Sequence, residues 1–202
     1  MWLFGTIITF QLERDVFLRE QANKLYYPSA YWVSKNMVEA PVALFAPLLT
    51  LLIVYWLVDY SHFFKMYLAM MLVAQTSQGM GLFISTMAPN MPTATALAPL
   101  YNIPVLLFGG LFVNTDTLPE WLAWIQWVSP VRFANEAISH SQYDDYEGYE
   151  SASGKIVNLP AGFMQVEGFT IGYWNCIAVL IGMMIIWRAL SLCMLKMQIK
   201  KV

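Results

Sequence analysis

From Ala40 to Val58 the chain carries no charge. An apolar helix of about 20 residues is long enough to cross the ~30 Å hydrocarbon core of a bilayer. Backbone groups in lipid must find their partners within the chain, so such a run specifies a helix. Residues 29–60 are therefore expected to form a complete span, with Lys35 at its cytoplasmic foot and Pro41 and Pro47 as kink points. Apolar runs at 66–88, 93–113 and 169–195 supply three more spans, separated by the turn around Asp59 to Lys65 and by Ala88-Pro89-Asn90-Met91-Pro92. Residues 1–12 are apolar but too short to cross, and read as the end of a further span. With 58% hydrophobic and 12% charged residues, a soluble domain of this size could not hide its apolar surface in one core. The expected fold is an all-α polytopic membrane protein: part of one span, four complete transmembrane helices, an amphipathic cytoplasmic helix and short re-entrant external helices.

Residues 13–28 alternate charge with Val16, Phe17 and Leu18, as a short amphipathic helix at the membrane surface would. That helix either simply lies at the interface or transmits a push from a soluble motor. Placing it inside the cell puts Arg14, Arg19, Lys24, Lys35, Arg188, Lys196, Lys200 and Lys201 on the cytoplasmic side. Only Lys65, Arg132 and Lys155 are then outside, in keeping with the positive-inside rule. The stretch from Leu107 to Phe133 is unusual. An apolar helix reaches Gly109-Gly110, two poor helix formers, and Leu111 and Phe112 follow as bulky apolar plugs. Asn114, Asp116 and Thr117 then signal water, and Pro119 opens a short helix whose Trp121, Trp124 and Trp127 suit headgroup depth. Residues 114–168 are expected to form an external segment containing re-entrant helices, with a Gly/Ser/Asn/Pro-rich loop around 151–160.

The sequence has no phosphate-cradling G-x-x-x-x-G-K-[ST], and no H-E-x-x-H, G-x-S-x-G or C-x-x-C. His62 and His140 read as interfacial residues, and Asp144, Asp145, Glu147 and Glu150 as a solvated acidic loop. No basic tract points to nucleic acid. Cys176 and Cys193 lie too far apart on one helix to pair. Glu39 lies about a turn inside its span, where a carboxylate requires either a partner or access to water beside Lys35. Asn102, Gln75 and Gln78 are candidates for hydrogen bonds between helices or for a polar patch on a substrate path. A membrane-embedded enzyme built on the histidines or the external acids would lack a converging site.

Two extended patterns carry a family resemblance. Glu13-Arg14, Phe17, Arg19-Glu20, Tyr27, Ala30-Tyr31, Lys35, Glu39 and Pro41 resemble the ER-x-x-F-x-RE…Y…Y…K…(D/E)-x-P pattern of the G subfamily of ABC transporters, the White/Brown and sterol or multidrug half-transporters. Phe108 to Ala137 is similar to the end of that family's fifth span and its re-entrant helices. The resemblance implies that residues 1–12 end the second span and that the complete spans are the third to the sixth. It implies that Glu13, Arg14, Phe17, Arg19 and Glu20 couple the membrane domain to a nucleotide-binding domain. It further implies that Ile103 and Leu106, with Asn102 beside them, face a substrate cavity between two half-transporters, and that Leu111 and Phe112 form a hydrophobic valve. ATP and Mg would be bound by the nucleotide-binding domain, and this chain would hold no cofactor or metal and no ATPase site. Expected partners are that domain, a second half-transporter in a homo- or heterodimer, and membrane lipids. The substrate would be lipid-like or amphipathic, exported across the plasma membrane or an internal membrane. The alternative is a truncated, transport-incompetent fragment that pairs with a full half-transporter.

Overall fold

The computed structural model describes residues 2–58, 62–110, 124–143, 149–150, 156–157 and 171–199. Its elements are the helices α1 (Trp2–Ala22), α2 (Pro28–Val58), α3 (Phe63–Met87), α4 (Met91–Leu107), the single turn α5 (Ile125–Val128), α6 (Pro130–Tyr143) and α7 (Tyr173–Ile199). One antiparallel ribbon, β1 (Tyr149–Glu150) against β2 (Ile156–Val157), lies in the stretch expected to be loop. Among the described residues α2, α3 and α7 are long and apolar enough to cross a bilayer, as a multi-pass membrane protein requires.

α3 is the hub. Its most apolar stretch is 67% buried, against 17% for α2 and 22% for α7, because small and polar residues along it let neighbours pack from several sides. One core joins α3 to α6 and α7 through Ala69, Leu72, Phe133, Ala137, Ile177 and Leu180. A second joins α1, α3 and α4 through Leu3, Ile7, Met80, Ile84, Ala94 and Ala98. Phe10, Phe17, Leu82 and Leu195 form a third, against which Tyr26 and Tyr31 pack. α2 instead turns Phe45, Leu49, Ile53 and Trp56 outward, the distribution expected where lipid rather than water is the solvent.

The helix bounds differ from the sequence reading in three places. The division expected after residue 12 falls inside one continuous helix, because nothing between Leu12 and Ala22 breaks the backbone. α1 ends only where Lys24 turns to φ 54. The span expected over 93–113 is helical to Leu107, a 17-residue helix capped at its start by the reciprocal Asn90 and Thr93 bonds. Beyond it Gly110 takes φ 81, a left-handed conformation that glycine adopts without a Cβ clash. Thirdly, α6 lies within the segment expected to be external, yet Phe133, Ala134 and Ala137 belong to the core. α6 and the residue before it are stitched to the end of α4: Ser129 Oγ donates to the Val105 carbonyl at 2.8 Å and Asn135 Nδ2 to that of Gly109 at 3.1 Å. Gly109 must be small there, since a Cβ would come within 2.9 Å of Val131.

Candidate functional site

Polar residues recur at helical spacing on facing sides of α1 and α2, Thr6, Thr9 and Glu13 on one and Tyr31, Lys35 and Glu39 on the other. Because the helices run antiparallel, these faces meet as a ladder. Lys35 Nζ donates to both Glu13 oxygens at 2.9 Å and lies 3.5 Å from Glu39 Oε1. Tyr31 donates to Glu13 at 2.9 Å, and Thr6 and Thr9 donate to the two Glu39 oxygens at 3.1 and 3.3 Å. From α3, Gln78 Nε2 reaches the Glu39 carbonyl at 3.3 Å. A carboxylate within a span is costly unless paired. Glu39 has both an ion pair and hydroxyl donors.

The ladder continues toward α7. Arg188 Nη2 donates to Gln75 of α3, and Trp32 Nε1 of α2 donates to Ser191 Oγ at 2.9 Å. Arg188, expected among cations flanking a span, is therefore engaged inside the bundle, where its charge also acts on Glu39. Lys35 is likewise buried rather than at a wet foot. Arg132, expected outside, is also buried, its guanidinium 5.0 Å from the Trp127 ring centre.

Of the residues assigned to coupling, Glu13 is half exposed while engaged with Lys35. Arg14 donates to the Pro89 carbonyl in the α3–α4 turn. Phe17 is buried against Tyr31, with ring centres 4.4 Å apart. Arg19 is exposed, and Glu20 accepts from Tyr26 at 2.7 Å. Burial and the Glu20 carboxylate push the Tyr26 phenol up to about 12. Asn102 is half-buried on α4, whereas Ile103 and Leu106 are exposed. Leu111 and Phe112 lie outside the described residues. Among the described residues no three His, Cys, Asp or Glu side chains gather as a metal-binding set.

Residues 1–143, which contain the α1–α2 part of the ladder and α4, match the ABC-2 type transporter family. The chain belongs to that family. Among its relatives is ABC transporter G family member 1 of Dictyostelium discoideum, 30% identical over 210 residues that cover 97% of this chain and 26% of that protein. Protein white of Drosophila melanogaster is 33% identical over 169 residues, covering 77% of this chain and 25% of white. The ABC transporter ATP-binding protein/permease wht-1 of Caenorhabditis elegans is 28% identical over 148 residues, 71% of this chain and 22% of that protein. The ABC-2 chain thus spans about a quarter of the length of these curated relatives and is a G-family transmembrane domain, not a nucleotide-binding one.

Sequence reasoning singled out Glu13, Lys35 and Glu39 but did not join them. It gave Thr6 and Thr9 no role, and Tyr31 only a place in a motif. The legible signal was the recurrence of a polar side chain every three or four residues on two adjacent helices.

Proposed function

We propose that this chain is the membrane-spanning part of an ATP-driven G-type half-transporter that exports lipid-like or amphipathic molecules. The observation that carries the reading is the two-sidedness of α4. Ala94, Ala98 and Val105 are buried in the protomer, while Ile103 and Leu106 are 63% and 45% exposed. An apolar helical face of this kind is suited to line a passage completed by a second half-transporter, either a second copy or a different chain. Asn102 borders it, and Leu111 and Phe112, following directly after the Gly109-Gly110 turn, would act as the valve: bulky apolar side chains exclude water until they part. The α1–α2 connection, with exposed Arg19 and half-exposed Glu13, is the surface on which an ATP-binding domain would push. ATP and Mg would be held on that domain, since this sequence contains no phosphate-cradling loop.

The test is ATP-dependent accumulation of a fluorescent amphiphile in vesicles containing the full-length protein, compared with the Leu111→Ala/Phe112→Ala variant. The proposal expects transport by the parent, and leak or an altered ATPase rate in the variant. Unchanged transport and ATPase in the variant would remove the valve assignment. Absence of ATP-driven accumulation, together with co-assembly of this chain with an intact half-transporter, would support the interaction-partner function instead.

A further inference from the structure

A cleft of about 530 Å³ opens between α1 and α2 beside the ladder, with Gln78 of α3 also lining it. Its volume is in the range of pockets that hold small molecules. Its walls divide by chemistry. Glu13, Lys35, Glu39 and the two threonines lie along one part, while Trp2, Gly5, Val38 and Val42 form the rest. Val38 and Val42 are largely exposed on the outer face of α2, so the apolar part opens toward lipid.

Counting donors and acceptors identifies what the cleft lacks. An ammonium has three N–H donors, and those of Lys35 face Glu13 Oε1, Glu13 Oε2 and, at the longer 3.5 Å, Glu39 Oε1. Each carboxylate can accept about four hydrogen bonds, so acceptors remain in excess. Gln78 adds another. It is a buried side chain whose Nε2 is committed to the Glu39 carbonyl, which fixes the amide orientation, and its Oε1 is buried with no hydrogen-bond partner. A buried acceptor left unpaired is destabilising, because it has given up water without gaining a donor. Arg188 acts on Glu39 through its charge, but it does not line the cleft and its Nη2 donates to Gln75, so it brings no hydrogen-bond donor to the cleft.

We infer that this cleft binds a protonated alkylamine from the lipid phase, with its ammonium at Glu39 and Gln78 and its hydrocarbon chain along Val38 and Val42. Such a ligand brings further N–H donors, and a second positive charge beside Lys35 to face the two carboxylates, and keeps its tail in an apolar medium. An anion would meet two carboxylates and an orphan carbonyl oxygen, with the Lys35 ammonium already engaged by Glu13 and Glu39. This inference rests on the membrane placement of α1 to α3, not on transport.

The experiment is equilibrium binding of radiolabelled dodecylammonium to the full-length protein in lipid nanodiscs without nucleotide, with dodecanol as the uncharged comparison. Saturable binding of the amine is expected, with the alcohol about tenfold weaker or more, since hydrogen bonds from a charged donor are stronger than those from a neutral one. Glu39→Gln should weaken the amine about tenfold and Gln78→Leu about threefold. Gly5→Leu is the decisive variant. A Cβ at Gly5 meets nothing within 4 Å, and leucine favours a helix over glycine, so the protein should fold while its cleft is filled and amine binding is lost. It keeps the inference testable even if Glu39→Gln fails to fold. Equal affinity for amine and alcohol, undiminished binding in Gly5→Leu, or no saturable binding because another part of the full-length chain fills the cleft would each overturn the proposal. Because no ATP is present, any of these results leaves the transport proposal standing.

Discussion

The ladder between α1 and α2 and the charged turn of α6 both hold ionised side chains within the protein, but they differ in access. In the ladder the Lys35 side chain is 7% exposed, while its acids Glu13 and Glu39 are 51% and 16% exposed. On α6, Arg132 and Glu136 lie one turn apart, with 4% and 0% exposure. Glu136 accepts from the Ile171 amide ahead of α7, and Arg132 lies over Trp127 and Phe133. The ladder is bordered by a cleft and one end remains wet, so its charges can be compensated in more than one way. The α6 charges are sealed, so their role is to hold the α4–α7 end of the bundle together. Charge that must respond to something keeps an opening. Charge that only holds helices in place does not.

The sharpest way to break this contrast is Glu136→Ala. It leaves the Ile171 N–H without its charged acceptor, so unfolding in detergent should show a loss of about 3 kcal/mol. A loss below about 1 kcal/mol would mean that the α6 charge is not structural. Lys35→Met should cost less, about 2 kcal/mol, because half-exposed Glu13 can recover water. Adding Glu39→Gln to Lys35→Met should restore part of that stability, since the double variant no longer carries an unpaired acid in the span. Simple additivity of the two substitutions would show that the ladder is not coupled.

The sequence made the ladder's components legible but not their assembly. Helical runs around 29–60, 66–88 and 169–195 were readable because lipid imposes length and apolarity directly on the sequence. The cost of Glu39 in a span was readable for the same reason. That its neighbours would be Thr6 and Thr9, more than 20 residues upstream on another helix, depended on the antiparallel register of α1 and α2, which no local pattern encodes. α6 was hidden by its composition. Arg132, Asn135, Glu136 and His140 make it look solvated, yet Arg132 and Glu136 are buried together with Phe133, Ala134 and Ala137. Arg188 misled similarly: a cation near a span end is usually a flank, but here Gln75 engages it inside the bundle.

Two smaller predictions sharpen the ladder side of the comparison. Gly81 of α3 lets α1 approach so closely that an added Cβ would stand 2.7 Å from the Leu3 carbonyl oxygen and 3.2 Å from Thr6 Cβ. Gly81→Ala should therefore push α1 outward and cost about 1–2 kcal/mol. It should also weaken the Thr6 bond to Glu39, so its effect should shrink when Thr6 is already valine. Equal effects in both backgrounds would separate the helix contact from the ladder.

The smallest effect is expected at Tyr26, which stacks on Tyr31 at the wet end of the ladder and donates to Glu20. Tyr26→Phe should lose about 0.5–1 kcal/mol. Its signature is the pH dependence. The phenol is raised from 10.0 to about 12, first by burial and then by the Glu20 hydrogen bond and charge, so folding favours the protonated form. Its contribution is therefore fully present below pH 10 and is lost as pH rises through about 12. The thermal midpoint of the parent should fall more steeply than that of Tyr26→Phe across this window, while the two run parallel below it. Parallel curves throughout would mean that the phenol has the same proton affinity in the folded and unfolded chain, and that the Glu20 contact does not fasten the α1–α2 connection.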